Sequence, residues 1–214
     1  MRGGLRIIYE DQDLIVVDKA AGIVVHRAPG YESGTLCDQL KARYPEIAAV
    51  GSRERPGVVH RLDKDTSGVI VFARTQGAYL ALRRMFESHR DIEKTYLAVC
   101  HGAPNPNEGT ITEPIDGRSA LSHYRTLGAR HGVSLIEFTI ETGRMHQVRI
   151  HAKALGCPLL GDSLHGSREK DVRLRRRPAR TLLHAVRIAF PHPITGRQLE
   201  FVVPPPPDIV HAVD

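Results

Sequence analysis

An apolar run, VIVFA at positions 69–73, sets the strongest limit on the possible folds. A uniformly apolar run of this length is typical of a strand that is covered on both faces. It follows directly on HRLDKDTSG (60–68), which is itself preceded by the apolar stretch PGVV. Four residues of HRLDKDTSG carry a charge at neutral pH, so this segment has to turn toward solvent between two buried stretches. Most turns of this kind are simply hydrated, and the segment alone does not separate that reading from a functional one.

Further strand patterns flank this run. Two apolar stretches around an acidic turn predict a hairpin in LRIIYEDQDLIVVDKAAG (5–22). Strict alternation predicts a strand in SLIEFTIE (134–141), with Ile136, Phe138 and Ile140 on its buried face. Additional strands are predicted in EKTYLAVCHG (93–102), LLHAVRIAF (182–190) and RQLEFVV (197–203).

Helices are fewer. One is predicted over 36–43, and a second begins after Thr75, which can cap it. Helical spacing gives the second helix a buried stripe of Ala78, Leu82, Met85 and Phe86. Many strands with few helices predict an α+β fold built on a mixed, largely antiparallel sheet with flanking helices. No composition shift marks a boundary, so residues 1–214 are expected to form a single domain.

The composition limits the classes of partner and the cellular setting that suit the chain. The net charge of +6 and the isoelectric point of about 9.5 make nucleic acid the first candidate, although charge alone is weak evidence. Aromatic residues are 5% of the chain and Trp is absent, which disfavours binding through many stacked bases. The three cysteines are far apart, so neither a disulfide framework nor a cysteine zinc site is expected. With no signal-like or membrane-length apolar stretch, we expect a soluble, cytoplasmic protein.

A second polar cluster is ETGRMHQVRIHAKALG (141–156). We predict a helix with Thr142 as its N-cap and Gly156 as its stop. Its buried stripe is predicted to be Met145, Val148, Ala152 and Leu155, and its other face to carry His146, Arg149 and Lys153. That face is either a solvated basic surface, an arginine held beside a carboxylate, or a phosphate-binding surface.

The chain also contains residues typical of metal sites and of glycosidic-bond hydrolases. The chain has 12 histidines, which raises the question of a metal site. His146 and His151 are five residues apart, so one helix would not direct both toward the same ion. No acid is paired in sequence with the other candidates, His184, His192 and His211, so no metal site is expected. Asp63 and Asp65 could serve as the acid and base of a glycosidic-bond hydrolase, but their spacing in a loop fixes no separation. The chain contains no motif of serine hydrolases, NTPases or dinucleotide-binding proteins.

The segment HRLDKDTSGVIVFAR (60–74) resembles the signature of the pseudouridine synthases of the ribosomal-large-subunit type. The resemblance extends to LIVVDKAAGIVVH, EKTYLAVCHG, TGRMHQVRIHAKALGCPLLGDSLHG and RTLLHAVRIAFPHPITGRQLEFVVPPPPDI. These blocks keep the family's order and spacing from about residue 14 to residue 208. The chain departs from the family at Ala20, Met145 and His165, where proline, threonine and tyrosine are usual.

The resemblance implies the pseudouridine synthase fold with a central catalytic cleft, and isomerisation of uridine in ribosomal or transfer RNA. It points to Asp63 as the catalytic carboxylate, acting as nucleophile or base. A carboxylate in a buried site needs a nearby cation to stay ionised, and we assign that role to Arg149. Tyr96 is expected to pack against the uracil ring and to take part in proton transfer. The reaction is redox-neutral and retains the base, so no cofactor and no metal are expected.

The target base has to leave its stack, and Arg61 is the residue expected to fill the space. The predicted RNA-binding residues are His60, Arg61, Arg144, His146, Ile150, Lys153, Arg175, Arg176 and Arg177. The resemblance covers a catalytic domain without the N-terminal RNA-binding domain of many relatives, and a monomer is expected. An inactive RNA-binding module on the same fold is the main alternative, and the hydrolase is the other.

Overall fold

The structure is a computed structural model that describes residues 5–174 and 177–212. In chain order the strands are β1 (Arg6–Glu10), β2 (Leu14–Lys19), β3 (Gly51–Ser52), β4 (Arg55–Pro56), β5 (Ser67–Ala73), β6 (Glu93–His101), β7 (Glu108–Ile111), β8 (Ser122–Arg130), β9 (Val133–Ile140), β10 (Leu183–Pro191) and β11 (Gln198–Val202). The helices are α1 (Leu36–Arg43), α2 (Gln76–Ser88), α3 (Gln147–Ala154), α4 (Arg168–Val172) and α5 (Pro207–Val210), with a 3-10 helix at Pro45–Ala49.

The chain forms two compact units. The first consists of Met1–Ile92 and Ile188–Val203, and the second of Glu93–Arg187 and Pro204–Asp214, so the division falls within β10. The α+β class and the largely antiparallel sheet are confirmed, because β1–β2, β2–β5, β6–β9, β8–β9 and β7–β8 all pair antiparallel.

In the first unit, β2 pairs with β1 on one side and with β5 on the other. All seven residues of β5 are buried, as the VIVFA run predicts. The predicted hairpin is present as β1 and β2, and the closing hairpin as β10 paired with β11. The register places Lys19 opposite Gly68, where the charged segment enters β5. This register brings the end of one buried strand against the loop that interrupts the apolar runs.

The helices of the first unit begin where side chains cap them. Helix α1 has the predicted bounds, and its capping box joins the hydroxyl of Thr35 to the amide of Asp38, and the carboxylate of Asp38 to the amide of Thr35. Helix α2 begins after Thr75, whose hydroxyl accepts a hydrogen bond from the amide of Ala78. Both caps satisfy amide groups that the first helical turn leaves without a partner.

The second unit is built around β9, which pairs with β6 and β8. Ile136, Phe138 and Ile140 lie in its core, as alternation predicts. They pack with Ala98 and Cys100 from β6, and the core also contains Val148 and Ala152 from α3. The sheet and one face of α3 therefore share one hydrophobic core.

The predicted start of α3 is wrong. The helix begins at Gln147, after His146 in the left-handed region with φ 56°, and Thr142 is not its N-cap. The Thr142 hydroxyl instead donates to the side chain of Gln147, whose amide group donates to the carbonyl of Leu121 and holds the preceding loop against β8. Met145 lies in this loop and is 67% exposed, so its predicted burial is also wrong.

Among the described residues, no helix combines the length and the apolar character needed to cross a bilayer.

Candidate active site

A buried lysine anchors the charged segment. Lys19 is 1% exposed, and its ammonium donates hydrogen bonds to the carbonyl oxygens of Ala20 at 3.0 Å, Ile23 at 2.9 Å and Lys64 at 3.0 Å. The amide of Gly22 donates to the same Lys64 carbonyl at 2.8 Å. A buried charge is tolerated where several hydrogen bonds replace its water. The chain is therefore fixed at the residue that follows Asp63.

The beginning of the segment is fixed through His60. Its Nε2 accepts a hydrogen bond of 3.0 Å from the amide of Val71, and its ring stacks on Phe86 with centroids 4.4 Å apart. Because an amide N–H can only donate, Nε2 carries no proton. These contacts attach His60 to β5 and α2, and its role in RNA binding stays a prediction.

The side chains around these anchors differ in burial. Leu62 and Thr66 are buried, whereas Arg61 and Lys64 are exposed and Asp63 is half-buried. The amide of Thr66 donates to the carbonyl of Asp63 at 3.2 Å and closes the turn. The segment thus holds a partly accessible carboxylate on a backbone that is tied at both ends.

In the second unit, Arg149 is held by a carboxylate that the sequence analysis did not name. Its Nε and Nη2 each donate to Asp162 at 2.6 Å, and the side chains are 7% and 0% exposed. Burial alone would raise the pKa of Asp162. The hydrogen bonds from Arg149 and from the amides of His165 and Leu164 outweigh burial and hold that pKa below its usual value. The expectation of an arginine beside a carboxylate is confirmed, and a pairing of Arg149 with Asp63 stays a prediction.

Two histidines lie next to this pair. The Nδ1 of His146 is 3.0 Å from the Nε2 of His165, and the rings meet edge to face. One of these nitrogens has to donate and the other to accept, so the pair cannot carry two full positive charges without losing the bond. His165 stands where tyrosine is usual in the family resembled.

Strand β6 carries Tyr96 and Lys94, which share one face because they are two residues apart. Tyr96 is half-buried and packs against the core of the second unit. Lys94 is 6% exposed, and its ammonium donates to the carbonyl of Thr142 at 3.2 Å. Burial, with a smaller contribution from the charge of Arg144, lowers the pKa of Lys94 to about 8.

A family model described as RNA pseudouridylate synthase matches residues 13–154. The chain belongs to this family. The chain is therefore an RNA pseudouridine synthase, which is an isomerase. The matched region includes the anchored segment, Tyr96 and Arg149, whereas Asp162 and His165 lie beyond its end.

Relatives of this family match nearly the whole chain. An uncharacterised RNA pseudouridine synthase of Mycobacterium bovis is 40% identical over 226 residues, covering 98% of this chain and 72% of that protein. The ribosomal large subunit pseudouridine synthase D of Zymomonas mobilis is 39% identical over 225 residues, covering 96% and 70%. A solved structure of human RNA pseudouridylate synthase domain containing 1 matches with a TM-score of 0.72 and 28% identity, over 95% of this chain and 86% of that one.

The remaining predicted RNA-binding residues of the synthase lie mainly in and around α3. Arg144 donates from Nε to the carbonyl of Ser119 at 2.9 Å, Ile150 is half-buried, and Lys153 is exposed. The structure therefore brings His146, Arg149 and Asp162 together within the second unit. It places Asp63 and Arg61 in the first.

The arginine run at 173–180 divides into different environments. Arg173 pairs with Glu169 on the surface, and Arg177 is exposed. Arg180 donates to Asp208 from two nitrogens at 2.7 and 2.8 Å and also to the carbonyls of Thr181 and Leu183, which gives it a structural role. Arg175 and Arg176 lie outside the described residues.

His192, which has no paired acid nearby in sequence, has one in the folded chain. Its Nε2 lies 3.1 Å from Oδ2 of Asp11, and Asp13 is close enough to complete a set of possible metal ligands. However, the Nδ1 of His192 accepts two backbone amides, so Nε2 carries the proton and donates to Asp11. Asp11 also accepts amides from the turn that it closes. These atoms are already engaged in holding a turn.

Sequence reasoning missed Lys19, Lys94 and Asp162 as residues that shape the site. A lysine at the end of an apolar strand run, as in LIVVDK, is a detectable signal for Lys19. Asp162 follows the apolar stretch CPLL and one glycine, and a lone acid at the end of an apolar stretch likewise indicates a buried carboxylate. Neither pattern predicts which residue Lys19 or Asp162 binds.

Proposed function

We propose that this chain isomerises specific uridines to pseudouridine in structured RNA, either ribosomal or transfer RNA, without a cofactor. One observation carries the proposal. Within a matched RNA pseudouridylate synthase sequence, Asp63 lies half-buried on a loop tied on one side by Lys19 and on the other by His60. A fixed and accessible carboxylate is what a nucleophile or base requires.

The proposed reaction conserves every atom of the substrate. The bond between C1′ of ribose and N1 of uracil breaks, and a bond between C1′ and C5 forms. The C5 proton leaves, and N1 regains a proton. Asp63 assists as a nucleophile or as a base, and both remain open. The uracil is retained throughout, so no oxidant, reductant or activated donor is needed.

Arg149 and Tyr96 are proposed to act with Asp63 on the same uridine. A guanidinium is planar and carries five N–H donors, so it can bind one carboxylate and still offer donors to a second acceptor. Asp162 engages Nε and Nη2 and thereby orients the group. Tyr96 is proposed to stack on the uracil and to move a proton through its hydroxyl, and a half-buried position suits both roles.

The substrate is proposed to enter by base flipping, because a stacked base is out of reach of a side chain. Arg61 is exposed beside Asp63 and is proposed to occupy the vacated space. The relatives named as ribosomal large subunit pseudouridine synthase D favour ribosomal RNA, and transfer RNA is the second candidate. A single catalytic domain, a monomer and a cytoplasmic location stay predictions.

The test is to map pseudouridines in ribosomal and transfer RNA from cells with and without the gene. We expect at least one site to disappear with the gene and to return when the purified protein is added to the unmodified RNA. Binding of that RNA without isomerisation would point to the inactive module. Release of free uracil would point to the hydrolase.

A further inference from the structure

Tyr31 is an exposed aromatic residue on a rigid turn. It is 41% exposed, and it ends the turn Ala28–Tyr31, in which each terminal residue donates its amide to the other's carbonyl. Pro29 and Gly30 occupy the two central positions, and the φ of 80° at Gly30 is one that glycine adopts without strain. Proline followed by glycine is the pattern of a type II turn. The Tyr31 ring is therefore presented to solvent from a fixed backbone.

The Tyr31 hydroxyl contacts the residue that follows Asp63. It accepts a hydrogen bond of 2.9 Å from the ammonium of Lys64, which is 5.0 Å from the ring centroid. These two distances place the ammonium toward the hydroxyl end of the ring and not above its centre. The hydrogen bond from Lys64 also raises the pKa of that lysine, which keeps it charged.

Two arginines contribute positive charge near this turn. Burial and then the charges of Arg55 and Arg61 are the causes that lower the pKa of His26, which precedes the turn by two residues. Both guanidinium charges therefore act on His26. In residues 5–174 and 177–212, neither arginine forms an ion pair with a carboxylate. An exposed aromatic ring with cations nearby is suited to single-stranded RNA.

We propose that the Tyr31 ring stacks on the base of the nucleotide adjacent to the target uridine, while Lys64 and Arg55 bind the flanking phosphates. The proposal rests on the proposed function and adds a specificity-determining contact to it. The alternative is that Tyr31 only positions Lys64 through the hydroxyl.

The experiment measures binding and chemistry separately. The probe is a synthetic RNA fragment, end-labelled with fluorescein, around the uridine whose modification disappears with the gene. We expect Tyr31→Leu to weaken RNA binding about tenfold, an effect of the size found when one base loses its aromatic stacking partner. The single-turnover rate at saturating RNA should be nearly unchanged. Leu80→Ala, at an exposed apolar residue of α2, is the control and should bind like the wild type.

Tyr31→Phe separates stacking from positioning. Phenylalanine keeps the ring and loses the bond to Lys64, so we expect near wild-type binding. Equal losses in Tyr31→Phe and Tyr31→Leu would show positioning instead and overturn the proposal.

An abasic nucleotide on the 5′ or the 3′ side of the target provides the second measurement. On one of these sides it should weaken binding by the wild type about tenfold and add nothing in Tyr31→Leu, because both changes remove one stacking contact. Effects that multiply would overturn the proposal. Failure of the proposed function is a different result, namely no pseudouridine formed by the wild type or activity retained by Asp63→Asn.

Discussion

The ammonium of Lys19 lies 3.0 Å from the carbonyl oxygen of Lys64, so a cation buried at the end of β2 holds the residue next to Asp63. The same ammonium binds the carbonyls of Ala20 and Ile23, which turn the chain after β2. Lys19 therefore joins two loops that carry separate motifs of the family. Through this bond, the folding of β2 into the sheet determines where the proposed catalytic residue stands.

Replacing Lys19 by methionine should lower the free energy of unfolding by roughly 2–5 kcal/mol, because buried carbonyl oxygens lose their donor. Activity should fall as well, because the loop is no longer fixed at Lys64. Urea unfolding provides the measurement. Lys41→Met is the matched control: Lys41 is 33% exposed and pairs with Asp38, so its loss should cost about 0–1 kcal/mol. Equal losses in the two variants would contradict the anchoring role.

Asp63→Asn should abolish isomerisation and leave RNA affinity nearly intact, because the amide keeps the size of the carboxylate and removes its charge and nucleophilicity. Asp65→Asn is the paired variant and should cost little activity. Pseudouridine formation and RNA binding are measured for both proteins. The reverse pattern would assign the catalytic role to Asp65.

Asp162→Asn should lower the free energy of unfolding by roughly 3–5 kcal/mol at pH 7, because it leaves the buried Arg149 guanidinium without its counter-ion. The pKa of Asp162 is lowered in the folded protein. Its contribution to stability is therefore complete above the pKa of the unfolded chain, and it is lost as the pH falls through the lower folded value.

The difference between the wild type and Asp162→Asn should thus narrow as the pH falls below about 4. Urea unfolding from pH 7 to pH 3 measures it. Asp208→Asn, which removes the 45% exposed partner of Arg180, is the control and should change stability much less at pH 7. A difference that is constant over this pH range would contradict the linkage.

Lys94→Met should stabilise the protein at pH 7, by less than about 3 kcal/mol, because it removes a charge whose burial is unfavourable, while loss of the hydrogen bond to the Thr142 carbonyl offsets part of the gain. The pKa of Lys94 is about 8 in the fold, against an ordinary value of 10.5. The unfolded chain therefore binds more protons between these values, and the wild type should gain stability relative to Lys94→Met as the pH rises from 8 to 10.5. The free energy of unfolding is measured by urea across this pH range for the wild type and Lys94→Met. Lys170→Met, which replaces an exposed lysine, is the control. A wild type that loses stability relative to Lys94→Met would refute it.

Replacing Arg175, Arg176 and Arg177 by alanine should weaken RNA binding and flatten its salt dependence by about two to three units of log–log slope. Each lost phosphate contact removes the release of its counterions. Arg180 is left intact because it holds Asp208. Arg84→Ala with Arg90→Ala, two exposed arginines in and just after α2, is the control.

The single-turnover rate at saturating RNA should barely change in the triple variant, because these side chains are proposed to act in binding alone. An unchanged salt slope would mean that the run is a solvated loop. Phosphate binding would then be assigned to the surface from Arg144 to Lys153.

The elements that could be predicted from the sequence are those with local causes. Alternation in SLIEFTIE gave the buried face of β9, the uniform run VIVFA gave β5, and Thr75 marked the start of α2. The ordered motifs also determined the family. Each of these patterns is complete within a short stretch of chain, because strand periodicity, helix capping and a motif are properties of neighbouring residues.

Which polar groups meet depends on tertiary contacts. His192 and Asp11 are 181 residues apart, Lys19 and the carbonyl of Lys64 are 45 apart, and Arg149 and Asp162 are 13 apart. Thr142 was equally plausible as a helix cap, but Gln147 binds it and Leu121 together, and α3 starts later. A buried polar group has to find a partner, and only the folded chain determines which donors and acceptors come within 3 Å of it.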